Sequence, residues 1–403
     1  MSIFTSKHII LGITGSIAAY KAADLASRLT QAGALVDVIL TPSAEKFITP
    51  LTFQSLTGRK AFTDSELWGG EAHVLHVGLA HSADLLVIAP CTANTIGKLA
   101  HGLADNLLTI TAMAMRSSIL IAPAMDAGMF ENPAMQENVL ILQERGFHFI
   151  GPVEGHLASG LTGRGRMTEP DELLGNIRLL LGVNGKLKGK KIVVTAGGTQ
   201  EPLDPVRILT NKSSGKQGYA IAQAALDSGA SVVLVTAPTS LIPPVGAKVI
   251  RICTAKEMHD VVLEEAAGVD ALVMAAAVAD FRPKKVFKNK LKKIDGIPQF
   301  FLEVAPDILL GVAGMGSLKP GVVIGFAAES TDLLKNAALK LKSKKLKMLV
   351  ANNISDPEAG FSVDTNRVTL LFPDGKQETL PLLAKAEVAE TIIAHLEVLL
   401  ENG

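Results

Sequence analysis

A short polar segment follows the apolar run at residues 83–90. Its Thr92, Asn94 and Thr95 supply hydrogen-bond donors and acceptors with little bulk, just beyond Pro90. Open α/β sheets bind ligands beyond the carboxyl ends of their strands. This segment therefore predicts a loop against which a planar cofactor lies.

A second candidate is the turn at residues 14–21, which places Gly15 and Ser16 at the start of a helix. Unpaired amides and the helix dipole attract an anion at that position. The chain contains no GxxxxGK[ST] sequence, and the turn lacks the GxGxxG spacing of dinucleotide folds. A phosphate site and a plain tight turn therefore both remain open.

The third candidate is the mostly polar stretch from Gln200 to Ser214, which separates a strand from the helix after it. It is long for a strand-to-helix turn, which indicates a functional loop. The cationic, amide and hydroxyl groups of this stretch converge on a helix N-terminus, which suits a polyanion; a solvated polar loop is the alternative. The groups concerned belong to Arg207, Asn211, Lys212, Ser213 and Ser214.

The elements that position these groups follow a strand–helix alternation. In the first half, strands are predicted at 8–14, 35–41, 83–90 and 117–123, and helices begin near residues 18, 44, 94 and 133. A Gly- and Lys-containing connector follows at 182–190. This alternation is typical of a doubly wound α/β sheet.

The second half opens like the first, with a strand at 191–199 and a helix that ends near Gly229. Further strands are predicted at 231–238, 247–253, 270–280, 322–329 and 347–352, with a Lys-rich helix at 331–347. Asp374 and Gly375 signal a hairpin, and an amphipathic helix closes the chain.

Composition excludes several classes of protein. Lys plus Arg and Asp plus Glu each number 39, so no net positive field favours nucleic acid or an anionic membrane. No apolar run approaches the roughly 18 residues of a membrane span, and we read no signal peptide, so a cytoplasmic location is expected. Cys91 and Cys253 form neither a disulfide framework nor a zinc motif, and Cys91 is expected to be a small buried thiol.

Longer motifs carry a resemblance to known families. His76 with GLAHSAD, APCTANTIGKLAHGLADNLLT and APAMDAGMF resemble the flavin-dependent cysteine decarboxylases, and GHLASGLTGRGRM (155–167) resembles their substrate-covering lid. VTAGGTQEPLDPVRILTNKSSGKQG, MAAAVADFRP and KLKK resemble phosphopantothenate–cysteine ligases. In this order the motifs are similar to the bacterial bifunctional proteins of coenzyme A biosynthesis.

The resemblance implies a flavodoxin-like doubly wound parallel sheet in residues 1–189, the FMN-binding decarboxylase domain. A second, Rossmann-like α/β ligase domain would occupy residues 190–403. The implied reactions are CTP-dependent joining of 4′-phosphopantothenate to L-cysteine through an acyl-cytidylate, with Mg²⁺, and then FMN-dependent decarboxylation to 4′-phosphopantetheine. Metal ligands are not assigned.

The resemblance also implies site residues. Catalytic positions would be His76, Asp126, Ser159, Asn211 and Lys290. FMN would contact Gly15, Ser16, Ile17, Thr41, Ser43, Pro90, Thr92, Ala93, Asn94, Thr95 and Met125. Substrate and nucleotide would contact Gly198, Thr199, Arg207, Ser213, Ser214, Met274, Ala275, Ala276, Asp280, Lys290, Pro306, Asp307, Ile308, Leu309, Phe326, Lys340 and Lys344.

Four positions depart from the family pattern. Asp126 stands where the family has Asn, Ser159 where its lid has the proton-donating Cys, and Phe130 where Trp or Tyr is usual. Lys347 stands where an acidic residue is usual. An ionised Asp126 facing a substrate carboxylate would repel it, so the side chain is either protonated or directed elsewhere. Serine is also a far weaker acid than cysteine.

Two alternatives follow. The flavin half is either an enzyme with an adjusted acid–base set or a non-catalytic FMN-binding scaffold that assembles an active ligase. A nicotinamide dehydrogenase with two α/β domains is disfavoured by the missing GxGxxG. The family further implies a homo-oligomer, with a trimeric flavin half whose sites lie at subunit contacts and a dimeric ligase half.

Overall fold

The structure is a computed structural model. It describes residues 2–67, 74–329, 333–353, 360 and 363–401. The chain divides into two compact units, Met1–Leu181 and Gly182–Gly403. The boundary expected at residues 189 and 190 stays a prediction, because it concerns functional domains.

The first unit is a parallel sheet with helices on both faces. Its strands are β1 (His8–Ile13), β2 (Leu35–Leu40), β3 (Ala61–Phe62), β4 (Leu85–Cys91), β5 (Ser118–Pro123), β6 (His148–Phe149), β7 (Val153–His156) and β8 (Thr162–Arg166). Its helices are α1 (Ala19–Gln31), α2 (Pro50–Thr57), α3 (Leu75–Ser82), α4 (Ala93–Ala100), α5 (Leu107–Ala114), α6 (Ala127–Glu131), α7 (Pro133–Glu144) and α8 (Pro170–Gly182). The sheet order is β3-β2-β1-β4-β5-β6, while β7 and β8 form a separate antiparallel hairpin.

The continuous apolar runs explain this sheet. Ile9 to Leu11 on β1 and Leu86 to Ile88 on β4 are fully buried, so both sheet faces are covered. One face packs on α1, where Ala22, Leu25 and Leu29 form the buried stripe. The order reverses between β1 and β4, which places a crevice beyond their carboxyl ends.

One helix prediction in this half is wrong. The helix expected from Ala44 is only a 3₁₀ turn, Ala44–Lys46, and the α-helix begins at Pro50. Proline lacks an N–H and has a fixed φ, so it suits the first turn of a helix and disrupts a helix interior.

The second unit is a larger mixed sheet. Its strands are β9 (Lys191–Ala196), β10 (Gln200–Pro202), β11 (Ile208–Thr210), β12 (Ser231–Thr236), β13 (Lys248–Arg251), β14 (Ala271–Met274), β15 (Phe281–Pro283), β16 (Leu302–Val304), β17 (Val322–Glu329), β18 (Met348–Asn353), β19 (Thr365–Asn366), β20 (Val368–Leu371), β21 (Gln377–Thr379) and β22 (Leu383–Ala384). Its helices are α9 (Lys216–Asp227), α10 (Ala255–Glu265), α11 (Ile308–Ala313), α12 (Leu333–Ser343) and α13 (Lys385–Glu401). The main sheet has the order β13-β12-β9-β14-β17-β18-β20-β21, of which only the last two strands pair antiparallel.

Two predictions for this unit need correction. The strand expected at 270–280 ends at Met274, and the residues after it form a loop held to β9. The insertion at 200–214 is not all loop, because β10 and β11 pair as a short antiparallel hairpin. The hairpin at Gly375 is confirmed, with a φ of 87° that favours glycine. The expected start of α12 at Thr331 lies outside the described residues.

Among the described residues, no helix is both long and apolar enough to cross a membrane.

Candidate functional sites

A cavity of about 1000 Å³ lies beyond the carboxyl ends of β1, β4 and β5 in the first unit. Its floor is built by Thr14, whose hydroxyl donates to the Pro90 carbonyl at 2.8 Å and accepts from the Thr92 N–H at 3.0 Å. These bonds tie the turn after β1 to the turn after β4. The crevice at the reversal point of the sheet therefore has a fixed polar base.

Gly15 allows this base to form. A Cβ at this position would lie 2.5 Å from the Cβ of Ser43, closer than two such atoms approach. The turn after β1 can therefore pass close to the turn after β2 only when residue 15 has no side chain. Gly15, Ser16 and Ile17 then line the cavity just before α1, where a helix N-terminus favours a phosphate.

Ten of the eleven positions expected to contact FMN line this cavity. They are Gly15, Ser16, Ile17, Thr41, Ser43, Thr92, Ala93, Asn94, Thr95 and Met125. Pro90 does not line the cavity, but its carbonyl accepts the hydrogen bond from the Thr14 hydroxyl that fixes the cavity floor. A helix start for a phosphate and small polar groups along one wall suit a flavin mononucleotide, so the residues present fit that cofactor.

The expected catalytic positions of this half are divided. Asp126 and Ser159 line the cavity, and the Ser159 hydroxyl donates to Oδ2 of Asp126 at 2.7 Å. His76 is half-buried on α3 and does not line it. The structure therefore brings together two of the three.

Sequence reasoning missed other groups on the cavity wall. His156 and Arg166 line it from the hairpin β7–β8, and Lys21 lines it from α1. The first two lie inside the lid motif, so that motif was the available signal. Lys21 is 5 % exposed, and its ammonium binds the Met167 carbonyl at 2.9 Å and the Glu169 carboxylate at 2.8 Å.

Cys91, at the end of β4, is fully buried, as expected. Burial in this apolar environment raises the pKa of its thiol. A thiol that stays protonated is a poor nucleophile, so Cys91 is a packing residue.

The second unit has a cavity of about 1080 Å³ beyond β9, β14 and β17. Two buried threonines shape its wall. The Thr195 hydroxyl accepts from the Ala276 N–H at 3.1 Å, and the Thr199 hydroxyl accepts from the Ala279 N–H at 2.9 Å. These bonds satisfy the alanine-rich loop after β14, which explains why the apolar sequence there leaves the sheet.

Asn211 lines the cavity and is bound directly to this loop. Its Nδ2 donates to the carbonyls of Ala277 at 3.3 Å and Val278 at 3.1 Å. On the opposite wall, Lys340 donates to the Phe326 carbonyl at 2.8 Å, and Lys344 forms an ion pair with Asp307. Cationic groups and amide groups therefore meet in one cavity.

Most of the expected ligase positions line this cavity. They are Asn211, Ser213, Ser214, Met274, Ala275, Ala276, Asp280, Pro306, Asp307, Ile308, Leu309, Phe326, Lys340 and Lys344. Gly198, Thr199, Arg207 and Lys290 do not line it. Lys290 is exposed on the loop between β15 and β16.

The expectation for Arg207 needs correction. Instead of converging on the start of α9, its Nη1 donates to the buried Asp204 carboxylate at 2.5 Å and to the Leu291 carbonyl at 3.1 Å. A buried carboxylate three residues away in the same loop is a stronger partner than a distant helix end. The sequence placed both groups in the insertion but gave no sign that they pair.

The ligase cavity also has orphaned polar atoms. Asn352 and Asn366 both line it, and among the described residues their Oδ1 atoms are buried without a hydrogen-bond partner. A buried polar atom without a partner is costly in free energy. No group of three or more His, Cys, Asp or Glu side chains in the described parts of the chain could hold a metal.

Two α/β units, each with a large crevice beyond its parallel strands, define a two-domain α/β protein with two candidate ligand sites. Residues 4–182 match the Flavoprotein family, and residues 187–399 match the DNA/pantothenate metabolism flavoprotein C-terminal domain. The chain is 42 % identical over 397 residues to the coenzyme A biosynthesis bifunctional protein CoaBC of Bacillus subtilis, covering 98 % of this chain and 97 % of that protein. The protein of the same name from Mycobacterium tuberculosis is 41 % identical, over 96 % of this chain and 95 % of that one.

The chain therefore belongs to the family of bifunctional coenzyme A biosynthesis proteins, and the expected membership is confirmed. It is a bifunctional enzyme with a flavoprotein half. Nothing in these matches favours the non-catalytic scaffold.

Solved structures are also similar to parts of the chain. The C-terminal domain of a CoaBC protein is 40 % identical with a TM-score of 0.47, over 54 % of this chain and 100 % of that one. A PPC decarboxylase mutant complexed with pantothenoylaminoethenethiol is 36 % identical with a TM-score of 0.41, over 43 % of this chain and 97 % of that one.

Proposed function

We propose that residues 190–403 join 4′-phosphopantothenate to L-cysteine at the expense of CTP, and that residues 1–189 decarboxylate the product with FMN. The observation that carries this proposal is the convergence of the motif residues of each half on one large cavity. In each half these residues come from several separate strands and loops.

In the ligase half, the substrate carboxylate attacks the α-phosphate of CTP, forming an acyl-cytidylate and releasing pyrophosphate. Negative charge develops on the phosphate oxygens, and the ammonium groups of Lys340 and Lys344 are placed to stabilise it. Mg²⁺ would enter on the phosphates, because this ion keeps much of its own coordination shell and takes few protein ligands.

The amine of cysteine then attacks the acyl carbon, the amide bond forms, and CMP leaves with the electron pair. Asn211 is the residue best placed to orient the acyl-cytidylate, because it lines the cavity between the alanine-rich loop and the start of α9. Its two bonds to backbone carbonyls fix the amide plane, so its Oδ1 has a defined direction.

In the flavin half, bound FMN would supply a reversible two-electron acceptor: oxidation of the substrate thiol to a thioaldehyde would let CO₂ leave, and the two electrons would return to the decarboxylated product. The residues before α1 would hold the phosphate of FMN, and Thr92, Asn94 and Thr95 would contact its polar edge. His76 lies outside this cavity, so its expected role as a base requires that it act on the site of a neighbouring subunit.

The proposal therefore includes the predicted oligomer, because His76 can act only on the cavity of a neighbouring subunit. A trimeric flavin half with sites at subunit contacts would let His76 reach a neighbouring cavity. In the ligase half, apolar groups are exposed on the two ribbons β10–β11 and β15–β16, including Ile208, Phe281 and Val304. Such exposed apolar surface favours the predicted dimer.

The test uses the full chain. Purified protein is incubated with 4′-phosphopantothenate, cysteine and either CTP or ATP, with Mg²⁺ or with EDTA, and products are identified by mass spectrometry. Phosphopantothenoylcysteine, CMP and pyrophosphate are expected with CTP and Mg²⁺ only, and added FMN should then yield CO₂ and 4′-phosphopantetheine. No pyrophosphate would overturn the ligase assignment, and ligation without CO₂ release would overturn the decarboxylase assignment.

A further inference from the structure

The hairpin β7–β8 lies directly against the segment that follows β5. A Cβ on Gly163 would lie 2.6 Å from the Cβ of Ala127, and one on Gly165 would lie 3.1 Å from the Ala127 nitrogen. The Met125 N–H donates to the Gly165 carbonyl at 3.0 Å. The base of the hairpin is therefore docked closely on the residues that begin α6.

A single side chain connects the tip of the same hairpin to α6. Oδ1 of Asp126 accepts the Gly128 N–H at 3.0 Å and so caps α6, while Oδ2 accepts the Ser159 hydroxyl at 2.7 Å. An ionised carboxylate has only acceptor sites, so it can take both bonds at once. Both of its oxygens are thus occupied inside the protein.

These two bonds matter for the cavity because the tip forms part of its wall. His156, Leu157 and Ala158 line the flavin cavity immediately before Ser159. Leu157 is 8 % exposed, and its N–H donates to the Leu161 carbonyl at 2.8 Å, which makes the tip a compact turn. A residue that fixes Ser159 therefore fixes this wall.

We propose that Asp126 and Ser159 are a pair of positioning residues that hold the hairpin β7–β8 closed over the flavin cavity. The carboxylate is then held by the hairpin tip and by the start of α6. The Ser159 proton is committed to Asp126, so Ser159 does not fill the role of a proton donor. The inference rests on the proposed function only in taking FMN as the ligand of the cavity.

Isosteric variants separate this role from a general effect on folding. Ser159→Thr keeps the hydroxyl. Ser159→Val introduces a side chain of the same shape as threonine but without the hydroxyl. Asp126→Ser retains an oxygen that can cap α6 but is too short to reach Ser159. Calorimetric melting of the first unit in each full-length variant checks that the flavin half is folded.

Two readouts do not require decarboxylation. We measure the rate of FMN release by recovery of flavin fluorescence, and the amide exchange of residues 157–161 by mass spectrometry. Ser159→Val and Asp126→Ser should each raise both rates by about tenfold, because a hydrogen bond to a charged acceptor is lost. Ser159→Thr should match the native protein, and the Asp126→Ser/Ser159→Val double variant should be no faster than either single variant.

The proposal is overturned if Ser159→Val matches the native protein, or if the effects of the two single changes add in the double variant. The native protein could bind FMN and show slow amide exchange in the hairpin β7–β8 without releasing CO₂. That result would contradict the proposed decarboxylation but would support the positioning role of Asp126 and Ser159. A native protein that does not bind FMN would overturn both.

Discussion

The guanidinium of Arg207 and the buried carboxylate of Asp204 form an ion pair, with Nη1 and Oδ2 2.5 Å apart. Asp204 also accepts the N–H groups of Val206 and Arg207, both at 2.8 Å, and that of Leu291 at 3.1 Å. Leu291 is the neighbour of Lys290, so one carboxylate joins the two loops that carry Arg207 and Lys290. These are the two expected cationic ligase residues that do not line the ligase cavity.

Asp204 is therefore expected to position both loops. Burial alone would raise the pKa of Asp204, but the backbone donors and Arg207 outweigh it and lower the pKa to about 2. Asp204→Asn keeps the shape but turns an amide N–H toward these donors. We expect ligase kcat/KM to fall by about tenfold or more while FMN binding is unchanged. Equal ligase kinetics in the variant and the native protein would contradict this role.

The ion pair between Lys344 and Asp307 makes a second prediction. Burial raises the pKa of Asp307, but Lys344 and the Leu310 N–H outweigh it, so the pKa is lowered and the carboxylate is charged. Lys344→Gln should raise the KM for the nucleotide by about tenfold, because one cation facing the phosphates is lost. Lys342→Gln, an exposed position on the same helix α12 that does not line the cavity, is the matched control, and its KM should not rise. An equal rise in both variants would show that the effect is a general loss of positive charge.

Much of the fold could be predicted because a continuous apolar run in the sequence indicates a strand buried on both faces. β1, β4 and β12 lie within a residue or two of their expected bounds. The predictions that were wrong, the start of α2 and the end of β14, failed because of individual side chains. Pro50 displaced the start of α2, and the hydroxyl of Thr195 binds the loop after β14, which periodicity cannot reveal.

The candidate sites were predictable for a different reason. Residues at the ends of parallel strands converge because the strands share one edge, so Gly15 and Thr92 could be placed in one cavity from their order alone. Side-chain pairing was not predictable. The bonds of Asp126 to Ser159 and of Arg207 to Asp204 depend on loop conformations that neither composition nor periodicity encodes.

Close packing of the hairpin β7–β8 gives a third prediction. A methyl group at position 165 would meet the Met125 carbonyl and the Ala127 nitrogen, both of which are fixed backbone. Gly165→Ala should therefore displace the hairpin and weaken FMN binding by about tenfold or more. Gly155→Ala is the control, because its methyl group would meet only the flexible Arg166 side chain, 3.0 Å away at Cδ. Equal affinity of the two variants for FMN in a fluorescence titration would contradict this packing.

The last prediction concerns pH and the network at the start of β1. The ring of His8 forms an ion pair with Asp37, whose side chain is 6 % exposed and which also binds Arg59 at 2.7 Å. The hydrogen bond to Asp37 raises the pKa of His8 above 6.5, although burial and Arg59 oppose it. The backbone N–H of His8 donates to the Asp84 carboxylate at 2.9 Å.

A histidine whose folded pKa is raised stabilises the fold fully below pH 6.5, its unfolded pKa, and this stabilisation is lost as the pH rises through the higher folded value. His8→Gln should therefore lower the melting temperature of the first unit more at pH 6 than at pH 8.5, by calorimetry of the full chain. Acid loss of the Asp37 contribution requires a pH below 3.8, because its pKa is lowered, so it does not enter this window. A loss in His8→Gln that is equal at both pH values would mean that His8 is not charged in the folded protein.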